Sequence, residues 1–417
     1  MNMQDARLLH RNFGGPQVRR VSLVPALILS LLLAACAAPG GSGSSEPAGA
    51  TVEIPAEEPV VIGISTMLEG DLASTGEVLA NAATLAGAGA TVNGHAVEFQ
   101  PVDDGCTDEG GRSAADELVA TANLVAVVGP SCSDAVLGAQ PIYEAAGITH
   151  ISQLSTNIAT TNPDGRDPYR TFLRTAFNDQ IQGEQQEHFA HDELVVENAF
   201  IVYESFRYGG AADTFRDVFG GALLGDEGFE DEGDFPDIVA KITDADPDMV
   251  YFSGFYPTGI PFIQALRDGG YAGAVLAGDA MYDQALIDGL GALAEQELYV
   301  TLPSPPVQGL PEFEQFVADY QAAYGADPTA TSFSPESYDA ANAILLGLES
   351  TGVVSEADDG AITVDLDALN AAIHDVSFDG ASGPVQFDDK GDRVVTEGLS
   401  PVTVFVVRDG RFVVYEN

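Results

Sequence analysis

The sequence predicts an α/β protein with two mostly parallel sheets, and three observations carry this prediction. Short apolar segments rich in Val and Ile recur along the chain, and amphipathic stretches of helical length separate them. Strands that alternate with helices favour parallel sheets, whose buried strands are continuous apolar runs such as LVAVVG at residues 124–129. Because 417 residues exceed what one such sheet usually organises, two α/β lobes are the simplest arrangement.

The predicted elements alternate along the chain. The apolar runs predict strands at residues 60–66, 96–102, 124–129, 198–203, 248–254, 273–278 and 402–407. The stretches between them predict helices at residues 111–121, 134–145, 178–192, 209–219, 234–243 and 257–269. Residues 225–237 form an acidic run whose spacing does not match a calcium-binding EF-hand loop. We interpret this run as a solvated turn in which Asp234 caps the next helix.

The charge balance excludes several classes of partner. The chain carries 64 Asp and Glu against 16 Lys and Arg, a formal net charge of −48. Nucleic-acid binding and docking on anionic lipid both need a basic patch, so neither is expected. Disorder is also excluded, because 45% of the residues are hydrophobic and 8% aromatic, which is enough for packed cores.

The first 36 residues have the pattern of a secretory signal. Four arginines lie within the first 20 residues, and the apolar run 21–35 that follows is too short to span a membrane. The run ends in Leu-Ala-Ala-Cys at Cys36, which resembles the bacterial lipobox and implies cleavage before Cys36 and lipidation of its sulfur. An ordinary signal peptide with a chance Cys is the alternative. The Gly- and Ser-rich composition that follows predicts a flexible tether over residues 36–57.

The remaining cysteines fit an extracytoplasmic compartment. With Cys36 lipidated, Cys106 and Cys132 remain, and an even number of cysteines outside the cytoplasm predicts a disulfide between them.

We find no sequence pattern that indicates catalysis. The nucleophile elbow, the His-Glu-x-x-His zinc motif, the phosphate-binding loop and the dinucleotide fingerprint are all missing from the sequence. Glu184, His188 and His191 have a spacing that zinc could use, but a solvated helix face is the simpler interpretation. The sequence therefore predicts no catalytic residue, no metal site and no cofactor. A secreted hydrolase with scattered catalytic residues is the least favoured alternative.

Polar loops follow two predicted strands, where ligands of α/β sheets usually bind. The strand at 124–129 leads to Ser133 at the start of a predicted helix, where free N–H groups favour an anion. Simple capping by Ser133 or Asp134 is the alternative. The second loop, at residues 152–157, offers hydroxyl and carbonyl groups to an ammonium group.

From about residue 60 to residue 415 the chain resembles the Leu/Ile/Val-binding family, the type I periplasmic substrate-binding lipoproteins of branched-chain amino-acid ABC transporters. The order and spacing of several segments carry the resemblance. They are LEGDLASTG at 68–76, DDGC at 103–106, GPSCS at 129–133, ISQLSTN at 151–157, YESFRYG at 203–209, YFSGFYP at 251–257 and GPVQFDDKGD at 383–392.

The resemblance implies roles for individual residues. Ser133 would bind the α-carboxylate of the ligand, while Ser155 and Thr156 would contact the same amino-acid head group. Tyr208 and Phe255 would close over the ligand from the second lobe, with core packing as the alternative for both aromatic residues.

Asp279 would pair with the ligand α-ammonium, with a surface turn as the alternative. The family usually has Glu at this position, a large aromatic residue where Thr75 stands, and a small Ser or Thr where Glu69 stands. Thr75 implies a roomier side-chain pocket, and the departures together count against Leu, Ile or Val as the ligand more than against an amino-acid-like ligand in general. Asp134 is expected to face away from the ligand, because it would repel a carboxylate.

The resemblance also implies the architecture and the partners. It predicts a Venus-flytrap fold with three interlobe crossovers, lobe 1 at 58–176 plus 304–386 and lobe 2 at 177–303 plus 387–417. An amino acid or a related molecule would bind between the lobes, and an ABC permease with its ATPase subunits would receive it. The alternative is a sensing subunit that passes the liganded form to a membrane receptor.

Overall fold

The computed structural model describes residues 50–163, 167–204 and 209–416. In this part of the chain the α-helices are α1 (Ala73–Ala86), α2 (Asp108–Val119), α3 (Ser133–Ala146), α4 (Asp179–His188), α5 (Gly209–Val218), α6 (Phe235–Ala245), α7 (Tyr256–Asp268), α8 (Gln284–Leu290), α9 (Pro311–Tyr324), α10 (Ser334–Glu349) and α11 (Leu366–His374). The strands are β1 (Thr51–Ile54), β2 (Val60–Thr66), β3 (Thr91–Val92), β4 (His95–Asp103), β5 (Leu124–Val128), β6 (Thr149–Ser152), β7 (Phe172–Arg174), β8 (Asn198–Glu204), β9 (Ala222–Phe229), β10 (Met249–Ser253), β11 (Ala274–Ala277), β12 (Leu298–Leu302), β13 (Val354–Glu356), β14 (Ile362–Asp365), β15 (Ser377–Gly380), β16 (Gly383–Gln386), β17 (Thr403–Arg408) and β18 (Arg411–Val414).

The first sheet has the order β3-β4-β2-β5-β6-β7 among the described residues. Its strands are parallel except for β3, which pairs antiparallel with β4 at the edge. Strands β2 and β5 are buried along their whole length, as continuous apolar sequences in a parallel sheet require. Helices α1, α2, α3, α10 and α11 pack against this sheet or against one another.

The second sheet has the order β18-β17-β12-β11-β10-β8-β9 among the described residues. Strands β9, β8, β10, β11 and β12 are parallel, and β17 and β18 add an antiparallel edge. Aromatic side chains fill much of its core. Phe252, for example, stacks on Phe262 with ring centroids 5.0 Å apart.

The chain passes between the two sheets three times, after β7, after β12 and after β16. After β12 it forms α9, α10 and α11, which pack on α1 and on the first sheet, before β17 returns to the second sheet. This is the α/β architecture with three crossovers that the resemblance implies.

The structure confirms the predicted strands and corrects three local interpretations. Residues 225–229 of the acidic run belong to strand β9 (Ala222–Phe229) rather than to a turn. Asp234 occupies the position before α6, but its side chain makes no capping hydrogen bond and instead accepts one from the Glu230 N–H. The helix predicted at 178–192 ends at His188 and continues as a π-helical turn, Phe189–Glu193. The signal peptide, Cys36, most of the tether and Tyr208 lie outside the described residues.

Candidate functional site

The candidate site lies where strands from both sheets end. From the first sheet, β5 leads directly to Ser133 and β6 leads to the loop at 152–157. From the second sheet, β10 leads to Phe255 and β11 leads to Asp279. Because parallel strands present their carboxyl ends at one edge, these four segments converge on the cleft between the two sheets.

Ser133 holds the loop at 152–157 against the start of α3. Its hydroxyl lies 3.1 Å from the hydroxyl of Ser155 and accepts a hydrogen bond of 3.2 Å from the Asn157 N–H. The Ser155 N–H donates to the Ser152 hydroxyl at 3.0 Å. The hydroxyl of Ser133 and the N–H of Ser155 therefore already form hydrogen bonds within the protein. Ser155 is fully buried and holds the loop in place.

A buried polar network underlies the site. Asp104 is fully buried and accepts hydrogen bonds from the Ser65 hydroxyl, the Cys106 N–H and the Ser131 N–H at 3.2, 2.9 and 3.3 Å. Burial raises the pKa of Asp104 to about 6. A disulfide joins Cys106 to Cys132, which are 5.1 Å apart at their Cα atoms. Both cysteines border the cavity beside Ser133.

Arg174 fixes the other side of the same loop. It lies at the end of β7, and its side chain is fully buried. The guanidinium donates to the backbone carbonyls of Ser155 and Asn157 at 3.1 and 2.8 Å and forms an ion pair of 2.6 Å with Asp392. No motif in the sequence distinguishes Arg174 as a support for the site.

The opposite wall of the cleft follows strands of the second sheet. Hydrogen bonds join this wall to residues at or just before the start of α1, which packs on the first sheet. The Thr75 hydroxyl donates to Asp283 at 3.2 Å, and the Tyr256 hydroxyl donates to the backbone carbonyl of Asp71 at 3.1 Å. Phe255 precedes α7 and is buried, and Asp279 is 1% exposed.

The cleft contains two adjoining cavities that share Leu154 and Phe255. The first is lined by Cys106, Cys132, Ser133, Asp134, Leu154, Thr156, Asn157, Asp179, Ala211 and Phe255. The second is lined by Met67, Leu72, Thr75, Leu154, Phe255, Tyr256, Asp279, Ala280, Tyr282, Asp283, Thr331 and Ser332.

The structure brings most of the predicted ligand-binding residues to these cavities. Ser133 and Thr156 line the first cavity, Thr75 and Asp279 line the second, and Phe255 lines both. The other predicted residues are placed differently. Glu69 is exposed and lines neither cavity, Ser155 lies beneath the surface of the first, and Tyr208 falls outside the described residues.

Three acidic residues in the cleft were not predicted to face a ligand. Asp134, which was expected to face away, lines the first cavity together with Asp179, and Asp283 lines the second. Burial raises the pKa of Asp179, against the hydroxyl of Thr156 and the charge of Arg174, which lower it. In the sequence these aspartates look like ordinary residues at helix starts, so only the fold identifies them.

Two further kinds of feature, a metal centre and a membrane-spanning helix, are not found among the described residues. No group of three or more His, Cys, Asp or Glu in this part of the chain is arranged to hold a metal ion. None of its helices is both long and apolar enough to cross a membrane.

Comparisons with known proteins agree with this architecture. An amino acid binding protein of Pseudomonas aeruginosa is 26% identical over 301 residues, which are 67% of this chain and 74% of that protein. The Leu/Ile/Val-binding protein homolog 2 of Brucella abortus is 25% identical over 366 residues, 84% of this chain and 91% of the relative. A leucine-binding protein of Thermotoga maritima has a similar crystal structure, with a TM-score of 0.75 at 25% identity, over 86% of this chain and 98% of the other.

The fold recurs at lower identity in an isoleucine complex of a branched-chain amino-acid transporter substrate-binding protein from Streptococcus pneumoniae, with a TM-score of 0.73 at 21% identity, over 85% of this chain and 98% of that one. The family model of periplasmic binding proteins matches residues 59–411, nearly the whole described chain. With two α/β sheets, three crossovers and a cleft at their strand ends, this chain belongs to the periplasmic binding protein family.

Proposed function

We propose that this protein is the extracytoplasmic solute-binding component of an ABC importer and that it binds an amino acid or a related small molecule in the cleft. The observation that carries the proposal is the convergence of the start of α3, the loop at 152–157, Phe255 and Asp279 on two adjoining cavities. Relatives with amino-acid and Leu/Ile/Val-binding names support the ligand class.

The two lobes would be residues 58–176 plus 304–386 and residues 177–303 plus 387–417. The sheets support this division, because the first is built from strands before residue 175 and the second from strands after residue 197. Ligand would bind to one lobe, and hinge closure would bury it against the other. A permease would then recognise the closed form and receive the ligand, which requires no catalysis.

The site residues have distinct proposed roles. The N–H groups at the start of α3, including that of Ser133, would receive an anionic group, and Thr156 would contribute polar groups beside them. Asp279 would accept an ammonium group, and Phe255 would cover the apolar part of the ligand. Thr75 would line the side-chain end of the pocket.

We also propose that the protein is a lipoprotein, with residues 1–35 removed, Cys36 lipidated and residues 36–57 as a tether to the cell membrane. The test is incorporation of radioactive palmitate in cells that express the full chain. Wild type should be labelled, and Cys36→Ser should not. Equal labelling of both proteins would exclude this anchor.

The ligand-binding role is tested by a thermal-shift screen of amino acids, amides and small carboxylates on the chain from residue 36 onward with Cys36→Ser. A ligand present at 100 times its Kd should stabilise the fold by about 2.7 kcal/mol. Recovery of the bound compound unchanged supports transport or sensing, whereas turnover would indicate a hydrolase. The absence of any stabilising compound would contradict the proposal.

Asp279→Ala tests the ammonium role. It should abolish binding of a zwitterion but spare a simple carboxylate, because only the zwitterion needs the negative charge. Asp116→Ala, at an exposed position of α2, is the matched control for a general loss of charge. Equal loss of both ligands in Asp279→Ala would refute the role.

A further inference from the structure

Two hydrogen bonds join opposite walls of the cleft. The Thr75 hydroxyl, in the first turn of α1, donates to Oδ2 of Asp283 at 3.2 Å. The Tyr256 hydroxyl, at the start of α7, donates to the backbone carbonyl of Asp71 at 3.1 Å. Helix α1 packs on strands of the first sheet, whereas Tyr256 and Asp283 follow strands β10 and β11 of the second. Both bonds therefore connect elements that belong to different sheets.

Asp283 contacts two elements on the side of the first sheet. It is buried, and its Oδ1 atom accepts from the Ala285 N–H at 2.8 Å and caps α8, which leaves Oδ2 for Thr75. Its backbone also forms an isolated β-bridge with Thr331, which lies between α9 and α10. Because α9 and α10 both pack on α1, Asp283 ties the start of α8 to this group of helices.

Apolar contact spans the cleft at the same place. Met67, Leu72 and Leu154 follow or precede elements of the first sheet, and Tyr256 and Tyr282 follow strands of the second. All five belong to one buried hydrophobic cluster and line the second cavity. Moving the two sheets apart would expose this apolar surface to water, which is unfavourable.

These contacts can exist only while the cleft is closed. Their partners belong to different sheets, and the three crossovers are the places where one sheet can rotate against the other. A contact that forms in only one of two conformations shifts the equilibrium towards that conformation by its own free energy. Because both hydrogen bonds join protein atoms, their contribution does not depend on which solute binds.

We propose that the Thr75 and Tyr256 hydroxyls, with Asp283 and the Asp71 carbonyl, form an interlobe latch that holds the cleft closed through the protein's own contacts. Thr75, Tyr256 and Asp283 are then positioning residues for closure. The inference rests on the proposed two lobes and their hinge closure, and not on the identity of the solute. It implies that the free protein is mainly closed and that exchange of solute waits for the latch to open.

The test measures the distance between the lobes in protein that carries no solute. Glu109→Cys and Glu232→Cys place spin labels at exposed positions that follow β4 and β9. In sheet order these strands lie away from β7 and β12, after which the chain crosses between the sheets, so opening should lengthen the distance between the labels.

The labelled parent is the chain from residue 36 onward with Cys36→Ser. It is stripped of bound solute by unfolding in guanidinium and refolding with the disulfide intact, and double electron–electron resonance gives the distance distribution. We expect one dominant short distance in this protein.

Three substitutions each remove one hydrogen bond of the latch. They are Thr75→Val, Tyr256→Phe and Asp283→Ser, of which the last keeps a side chain that can cap α8 but is too short to reach Thr75. Each should raise the ratio of open to closed protein about two- to tenfold, the effect of losing one hydrogen bond. The double variant Thr75→Val with Tyr256→Phe should raise the ratio further.

Thr84→Val is the matched control. Thr84 lies on the same helix as Thr75, but its hydroxyl donates to the Ala80 carbonyl within α1 at 2.8 Å, so this change should leave the distance distribution unchanged. Thr75→Ser keeps the hydroxyl and should retain the closed distribution that Thr75→Val loses. A role in stability alone would lower the melting temperature of the latch variants without changing the distance between the lobes.

Three outcomes would overturn the inference. They are a parent protein that is mainly open without solute, a distribution that stays unchanged in both the double variant and Asp283→Ser, and a shift in Thr84→Val as large as that in Thr75→Val. None of them bears on the proposed solute-binding function, which the thermal-shift screen decides.

Discussion

Replacing Arg174 with Met should destabilise the fold strongly and loosen the ligand loop. The side chain is fully buried and makes an ion pair of 2.6 Å with Asp392. It also donates to the carbonyls of Ser155 and Asn157 at 3.1 and 2.8 Å and to the Thr161 hydroxyl at 2.5 Å. Met has a similar length but no donor, so all four partners lose the guanidinium.

The magnitude follows from burial. Removing one partner of a buried ion pair typically costs about 3–5 kcal/mol, because the other charge stays buried without compensation. Asp392 is 18% exposed and also accepts from Thr161, which moderates its penalty. The two loop carbonyls add to the loss. We therefore expect the free energy of unfolding of Arg174→Met to fall by about 3 kcal/mol.

The assay is urea unfolding followed by far-UV circular dichroism, with the slope m checked against wild type. Arg112→Met is the matched control, because Arg112 forms an ion pair with Asp108 in which both side chains are more than half exposed, at 52% and 56%. Such a surface pair contributes about 0–1 kcal/mol. A loss below about 1 kcal/mol in Arg174→Met, equal to that of the control, would refute the role assigned to this buried guanidinium.

Three further changes test other parts of the structure. Burial lowers the pKa of His150 from 6.5 to about 3. Between these two pH values only the unfolded chain binds the proton, so the free energy of unfolding decreases as the pH is lowered from 6.5 towards 3. His150→Phe should remove about 2 kcal/mol of this loss at pH 5, measured by urea unfolding at pH 7.5 and 5, and an unchanged pH dependence would contradict the assignment. The disulfide between Cys106 and Cys132 closes a separation of 26 residues, and the double Ser variant should lose about 3–4 kcal/mol in non-reducing urea. In reductant, which opens the wild-type disulfide, the two proteins should have equal free energies of unfolding. A difference that persists there would show that the disulfide is not the cause of the loss. A Cβ atom on Gly76 would lie 1.6 Å from the Met67 carbonyl oxygen. Gly76→Ala should therefore lower the free energy of unfolding by about 3 kcal/mol or more. A melting temperature of the variant equal to that of wild type would contradict this close packing.

The sequence predicts much of the framework because burial leaves a local pattern. Strands at 60–66 and 124–129 are legible as continuous apolar runs, and the structure has β2 at Val60–Thr66 and β5 at Leu124–Val128. The sequence does not reveal strand β9 because the strand lies at the edge of the second sheet, is mostly exposed, and has two glycines and two acidic residues at 225–228, a composition typical of a turn. Local pattern thus reveals central strands and fails at edges, where neighbours cover only part of the strand.

The residues of the candidate site also fall into those that the sequence indicates and those that only the structure reveals. The positions of Ser133, Thr156, Phe255 and Asp279 beside the cleft could be predicted from the family resemblance, and Ser133 also from its place after a recognisable strand. Asp179 could not, because a carboxylate at a helix start has the same local sequence whether it meets solvent or a cleft.

The sequence by itself therefore determined the fold class and the central strands, which depend on residues close together in the chain, and the family resemblance, which depends on the order and spacing of short segments. Only the tertiary structure decided which polar and charged side chains lie within hydrogen-bonding distance of one another. Arg174 meets Asp392 across 218 positions, and Thr75 meets Asp283 across 208. Such pairings depend on sheet order and on the three crossovers, which bring distant loops to a common edge, and electrostatic energy depends on that final distance and burial rather than on position in the chain.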